Sequence, residues 1–199
     1  MGKSELILEE LISKRLCPGA NIDAIDHKIW TLFGETWAVL CSDMSGFTIR
    51  TERFGIIHFL TLIYEMRRIA KPLILEHSGL LLKAEADNLL VLFRDLNQAL
   101  LYARDIHKTI AKYNETKNVD YQLAVSIGIG YGRILKIGDT DCYGNEVNRA
   151  FKLGEDIAQP HETLLTPSAY ELASNLPNFS FRKIISHNRF LPEYYVLEE

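Results

Sequence analysis

An apolar run, Ala38-Val39-Leu40-Cys41, leads into Ser42-Asp43-Met44 and then Ser45-Gly46-Phe47-Thr48. The run reads as a buried strand that delivers one carboxylate to its end. Gly46-Phe47-Thr48 reads as the opening of a helix, whose free N–H groups favour an anion such as phosphate. A second apolar run, Leu80 to Ala86, reaches Asp87-Asn88 and returns as Leu89 to Phe93, a hairpin with an acid at its tip. Two carboxylates on neighbouring strand ends beside such a helix start are what a divalent-metal nucleotide site needs, because hard cations take oxygen ligands and share them with phosphate. Other chemistries find no support. Ser45 has no histidine at readable spacing for nucleophilic catalysis, and the 6 histidines form no constellation with one another or with cysteine that suggests zinc.

The elements that must hold these acids follow from periodicity. Ser4 to Arg15 predicts a short helix capped by Ser4, and Asp23 to Phe33 a second one ending at Gly34. These form an expected helical extension over 1–35, with the main domain, 36–199, beginning near Thr36. Phe54 to Ile69 is apolar on most of its circumference, which predicts a helix covered on two sides, by its own sheet and by a second subunit. Pro72 is expected to mark a restart and Gly79 to close the helical region. Asp95 caps an amphipathic helix carrying Leu96, Ala99, Leu100, Ala103, Ile106 and Ile110. Tyr121 to Ile129 and Ile134 to Ile137 read as strands joined through a Gly130-Tyr131-Gly132 turn. A loop over 138–144 feeds a helix from Asn145 to Ala158, Glu162 to Leu165 reads as a short strand, and Pro167 starts a short helix. Phe181 to Ile185 and Tyr194 to Leu197 predict a closing hairpin. The order predicts an α+β sandwich, with helices on one face of a mainly antiparallel sheet.

Composition bounds the function. A chain of 199 residues, 47% hydrophobic, can bury one good core. The net charge of −4 and the absence of like-charge runs argue against a nucleic-acid or membrane partner. No stretch approaches the roughly 20 apolar residues of a membrane span. Three scattered cysteines without metal spacing, and no signal-peptide pattern, lead us to expect a reduced, cytoplasmic protein.

From about Trp37 to Tyr170 the chain resembles the class III nucleotidyl cyclase catalytic domain, the adenylyl/guanylyl cyclase homology domain. The resemblance rests on Asp43-Met44-Ser45-Gly46-Phe47-Thr48, Lys83 to Asp87, Ser126 to Gly130, and Asp141-Cys142-Tyr143-Gly144-Asn145-Glu146-Val147-Asn148-Arg149-Ala150-Phe151-Lys152. It implies a ferredoxin-like, palm-like sandwich that converts a nucleoside triphosphate to the 3′,5′-cyclic nucleotide and pyrophosphate. Asp43 and Asp87, with the Met44 carbonyl, would hold two Mg²⁺ or Mn²⁺ ions, and Gly46, Phe47 and Thr48 would bind substrate phosphate. Lys83 and Asp141 resemble the pair that reads adenine, so ATP is the favoured substrate. Asn148 resembles the ribose-orienting residue. In this family each site lies between two protomers, so the resemblance implies a homodimer or a pair with a related cyclase chain.

The chain departs from the family in places. Lys152 stands where the family places a transition-state arginine, keeping the charge but losing the planar fork. Ala86 replaces the usual glycine before the second acid, Glu85 an apolar residue, and the loop over 138–144 is short. Arg189 is the nearest match to a triphosphate-binding lysine. These departures leave an alternative, a catalytically weakened cyclase-fold domain that binds nucleotide or serves dimerisation and regulation. A diguanylate cyclase falls behind both, because the hairpin reads Glu85-Ala86-Asp87-Asn88 and lacks that family's signature.

Overall fold

The computed structural model describes residues 2–45 and 52–198. Helices α1 (Lys3–Arg15) and α2 (Ile22–Phe33) precede strand β1 (Gly34–Met44), followed by helix α3 (Ile56–Glu76), strands β2 (Leu80–Glu85) and β3 (Asn88–Phe93), and helix α4 (Leu96–Asn114). Strands β4 (Val125–Ile137) and β5 (Asp141–Tyr143) lead to helix α5 (Asn145–Phe151), which continues as a π-helical segment over Lys152–Ile157. Strand β6 (Thr163–Leu165), helix α6 (Pro167–Ala173) and strands β7 (Ser180–Ile185) and β8 (Glu193–Glu198) complete the order. The sheet runs β2-β3-β1-β4-β6-β8-β7, with β5 on β4. Its pairings are antiparallel except β4 with β6.

Alternation along β1 divides the molecule into two layers. Ala38, Leu40 and Met44 join the large core under α3, α4 and α6. Trp37, Val39 and Cys41 point the other way, into a second cluster with Val147 and Ala150 of α5. Helices therefore cover both faces, not one as the element order predicts. Fully buried strands tolerate this, because β1 and β3 are apolar on both sides.

Five boundary expectations are corrected. Ser4 does not cap α1; Gly2 does, with its N–H donating to Glu5 Oε2 at 2.8 Å. Pro72 lies inside α3 rather than at a restart. Burial of Met66, Ala70 and Ile74 on both sides of it outweighs the roughly 3 kcal/mol that an interior proline costs. The Gly130-Tyr131-Gly132 segment is not a turn, because β4 is one strand of 13 residues, and Val119–Tyr121 is a short 3₁₀ turn instead. The two glycines serve approach: a Cβ on Gly130 would lie 2.6 Å from the Glu146 carbonyl oxygen of α5. Finally, the loop over 138–144 contains strand β5.

The N-terminal helices dock on the far end of β4. Leu11, Ile29 and Phe33 bury against Ile137 in a separate small cluster.

Candidate active site

Asp43 is the next-to-last residue of β1, opposite Ser126 of β4. The period-2 alternation puts its side chain on the face of Cys41, the α5 side of the sheet. Asp87 occupies the β2–β3 turn, one residue before Asn88, which pairs with Glu85. The two acids sense each other. Burial first, and then the charges of Asp87 and Glu155, push the Asp43 carboxyl up to about 7. Burial likewise raises Asp87 above the usual carboxylate range.

Glu155 was not singled out from the sequence. It lies in the π-helical segment, accepts a hydrogen bond from Asn88 Nδ2 at the hairpin tip, and is itself raised by burial and then by Asp156 and Asp87. No periodicity rule flags it, because the turn that carries it is not α-helical. The segment reaches Asp43 because glycine removes the side chains between. A Cβ on Gly128 would sit 2.0 Å from the Ala150 carbonyl oxygen, and one on Gly154 would sit 2.8 Å from that of Cys41. Ser126 ties the layers by donating from Oγ to the Gly154 carbonyl at 2.8 Å. Localised π-helical turns of this kind are frequent at functional sites.

The hairpin tip is held in an unusual conformation. Ala86 adopts φ +45°, the left-handed region that glycine prefers. Arg67 of α3 donates from Nη2 to the Ala84 carbonyl at 3.0 Å and the Ala86 carbonyl at 2.6 Å, fixing the turn that presents Asp87.

A second group gathers on the same side of the sheet. Lys83 of β2 and Asp141 of β5, far apart in sequence, form an ion pair with Nζ 2.8 Å from Oδ2. The Asp141 carboxylate also accepts from the Cys142 N–H at 2.7 Å and the Tyr143 hydroxyl at 3.0 Å. Burial alone would raise Asp141, but Lys83 and these two donors hold it below the usual range. Its hydrogen bond in turn raises Lys83. Among the described residues no hydrogen bond or ion pair links this pair to Asp43 or Asp87.

Asn148 is exposed on α5, and its carbonyl accepts the Lys152 N–H one turn on. The Lys152 side chain is paired within its own segment, with Nζ 2.7 Å from Asp156 Oδ2. Arg189 is exposed in the loop between β7 and β8. That loop leans on α5, since the Arg149 guanidinium lies 5.9 Å from the Phe190 ring centroid. The Met44 side chain is buried in the opposite core, and Gly46, Phe47 and Thr48 lie outside the described residues.

The donor set suits a hard divalent cation. Asp43 and Asp87 offer oxygen ligands whose mutual repulsion a cation would relieve. No group of three or more His, Cys, Asp or Glu side chains that could hold a metal occurs among the described residues. Mg²⁺ does not require one, because it keeps water and substrate phosphate in its shell and takes one or two carboxylates.

Comparison with known proteins gives the same architecture. No family model matches the chain. In sequence it is 24% identical over 144 residues to "Putative adenylate cyclase 3" of Rhizobium meliloti, and 27% identical over 137 residues to serine/threonine-protein kinase pkn2 of Myxococcus xanthus. The matched segments are 72% and 69% of this chain but 24% and 16% of those proteins, so the chain spans a quarter or less of either. Among solved structures, the adenylyl cyclase CyaB of P. aeruginosa superposes with a TM-score of 0.71 at 19% identity, covering 83% of this chain and 95% of that one. The adenylate/guanylate cyclase/hydrolase of Silicibacter pomeroyi superposes with a TM-score of 0.68 at 22% identity, covering 82% and 96%. The catalytic core of a rhodopsin-guanylyl cyclase with converted specificity, solved with ATPαS, superposes with a TM-score of 0.68 at 15% identity, covering 83% and 98%. The α+β sandwich that carries Asp43, Asp87 and the Lys83–Asp141 pair is the fold of the class III adenylate/guanylate cyclase catalytic domains.

Proposed function

We propose that the chain is a nucleotidyl cyclase that converts a nucleoside triphosphate, ATP by preference, to the 3′,5′-cyclic nucleotide and pyrophosphate at a site between two protomers. The observation that carries the reading is the convergence of two half-buried acids, Asp43 and Asp87, whose charges oppose each other at the end of β1. A fold alone would not maintain that arrangement, because each unpaired buried charge weakens it. Asp43, Asp87 and the Met44 carbonyl would hold two Mg²⁺ or Mn²⁺ ions. Such ions, when bound, lower the pKa of the ribose 3′-hydroxyl and neutralise charge at the α-phosphate. The 3′ oxygen bonds to the α-phosphorus as the bond to the bridging oxygen breaks, its proton goes to solvent, and pyrophosphate leaves.

The Lys83–Asp141 pair supports adenine. Lys83 Nζ can donate to a ring nitrogen, and Asp141 can accept from an exocyclic amine. Their mutual ion pair holds both heads ready in one geometry. Asn148 orients the ribose of the neighbouring protomer's substrate, and Lys152 meets the charge that develops on the α-phosphate. Gly46, Phe47, Thr48 and Arg189 are the proposed phosphate contacts.

One observation favours a second reading, a catalytically weakened domain that binds nucleotide: Lys152 is tied to Asp156. Incubating the purified chain with each of the four nucleoside triphosphates and Mn²⁺, and identifying the products by mass, separates the two. Cyclic AMP as the main product supports the first. Metal-dependent nucleotide binding without any cyclic product supports the second.

A further inference from the structure

A cavity of about 300 Å³ opens on the face of the sheet opposite the acids. It lies between α4, the start of β6 and the segment that joins α6 to β7, and it is unrelated to the nucleotide reading above. Arg104, His107 and Lys108 line it from α4, His161 from the turn before β6, and Phe179 and Leu197 supply an apolar wall. Its size is at the lower end of the roughly 300–1,000 Å³ of small-molecule pockets.

The charges on this wall are only partly spent within the protein. Lys108 makes no hydrogen bond or ion pair among the described residues. Arg104 Nε makes only a long ion pair, 3.7 Å from Asp105 Oδ1 and too far for a hydrogen bond, while Asp105 Oδ2 is held by His77 Nε2 at 3.0 Å. The Arg104 guanidinium instead rests 5.6 Å from the Phe179 ring centroid. Glu198, the acid that lines the cavity, accepts from Arg182 Nε at 3.1 Å. His107 bonds Thr163 Oγ1 through Nε2 at 2.9 Å, which leaves its Nδ1 buried without a partner, as is Arg104 Nε. His161, held at φ +69°, brings its ring to 6.3 Å from that of His107. A second hollow shares His107, Lys108 and His161, so the basic surface continues along α4. One unpaired cation, a second held only by a long ion pair, and two imidazoles around an apolar wall are unusual in a chain of net charge −4.

We propose that this cavity binds a small organic anion, with its acid group between Arg104, Lys108 and His161 and its apolar body against Phe179 and Leu197. A carboxylate and a phosphate monoester share this chemistry. Guanidinium takes either as a two-point contact, and stacking on the aromatic face adds to it.

Calorimetric titration of the full chain with phenyl phosphate and, separately, with benzoate tests the proposal. We expect saturable one-to-one binding of at least one acid, the tighter of the two identifying the head group, and none of benzyl alcohol. Lys108→Ala, at an exposed position, should weaken binding about tenfold, and Arg104→Ala by more, with thermal melting to show that each variant is folded. Asp43→Ala should bind the probe as wild type does, because Asp43 lies across the sheet. Absence of saturable binding overturns the proposal. So does equal affinity in Lys108→Ala, binding of the neutral alcohol, or loss of binding in Asp43→Ala.

Discussion

At the scale of single residues the balance between the two readings turns on Lys152. Its ammonium is a point charge, held by Asp156 four residues on, and it must leave that carboxylate to meet an α-phosphate. If the site turns over, Lys152→Ala should lower kcat by about 10²-fold and leave KM nearly unchanged, the mark of a contact made in the transition state. Lys152→Arg should raise kcat. Equal steady-state constants across the three proteins would remove Lys152 from the site. For the acids, Asp43→Ala and Asp87→Ala should each abolish cyclic-nucleotide formation and metal-dependent nucleotide binding. The fold should survive in both. Since burial opposes the charge of Asp43, metal-free Asp43→Ala should melt no lower than wild type at pH 8. Full activity in either variant with metal present would defeat the two-metal assignment.

At the scale of elements the β2–β3 hairpin and the α5 segment do the positioning. Alanine at φ +45° costs about 1–2 kcal/mol relative to an ordinary conformation. Glycine would relieve this at the expense of a more flexible unfolded chain. Ala86→Gly should therefore raise unfolding free energy by about 1 kcal/mol in urea titration, with an unchanged m-value. A loss of stability would mean that Arg67, which clamps the Ala86 carbonyl, already removes the strain. The opposite logic holds under α5, where Gly128 and Gly154 let the segment bearing Lys152 and Glu155 touch the backbone of β1 and β4.

At the scale of the whole molecule, α3 leaves Ile56, Ile57, Leu60 and Tyr64 exposed at 50%, 72%, 50% and 66% on one stripe. A second protomer would cover it. Light scattering with nucleotide should show a dimer that Ile57→Glu weakens at least tenfold; a monomer at high concentration would count against this. Stability should also depend on pH through His107. Burial, and then the charge of His161, depress its pKa from 6.5 to about 4. The folded state thus binds its proton less readily than the unfolded state. This contribution is whole above about pH 6.5 and is lost as pH falls toward about 4. Arg104 and Lys108 face the same cavity. His107→Gln should flatten the melting profile between those limits, while a parallel fall in both proteins would place the titration elsewhere.

Much of this was legible in the residues themselves. The apolar run ending on Asp43, the hairpin tip at Asp87, the Asp95 cap and the Pro167 start of α6 are local signals, set by period, capping and turn chemistry within a few residues. Local rules failed wherever packing between layers outweighed them. Burial carried α3 through Pro72, the close approach of α5 made one strand of β4 across Gly130 and Gly132, and a π-helical turn brought Glu155 to the acids. The Lys83–Asp141 contact was implied only by resemblance, and the His107–His161 neighbourhood was not seen at all. Sequence spacing reports which side chains share a face of one element. Which faces meet is decided by the free energy of closing the two layers on a common sheet, and that is a property of the folded chain alone.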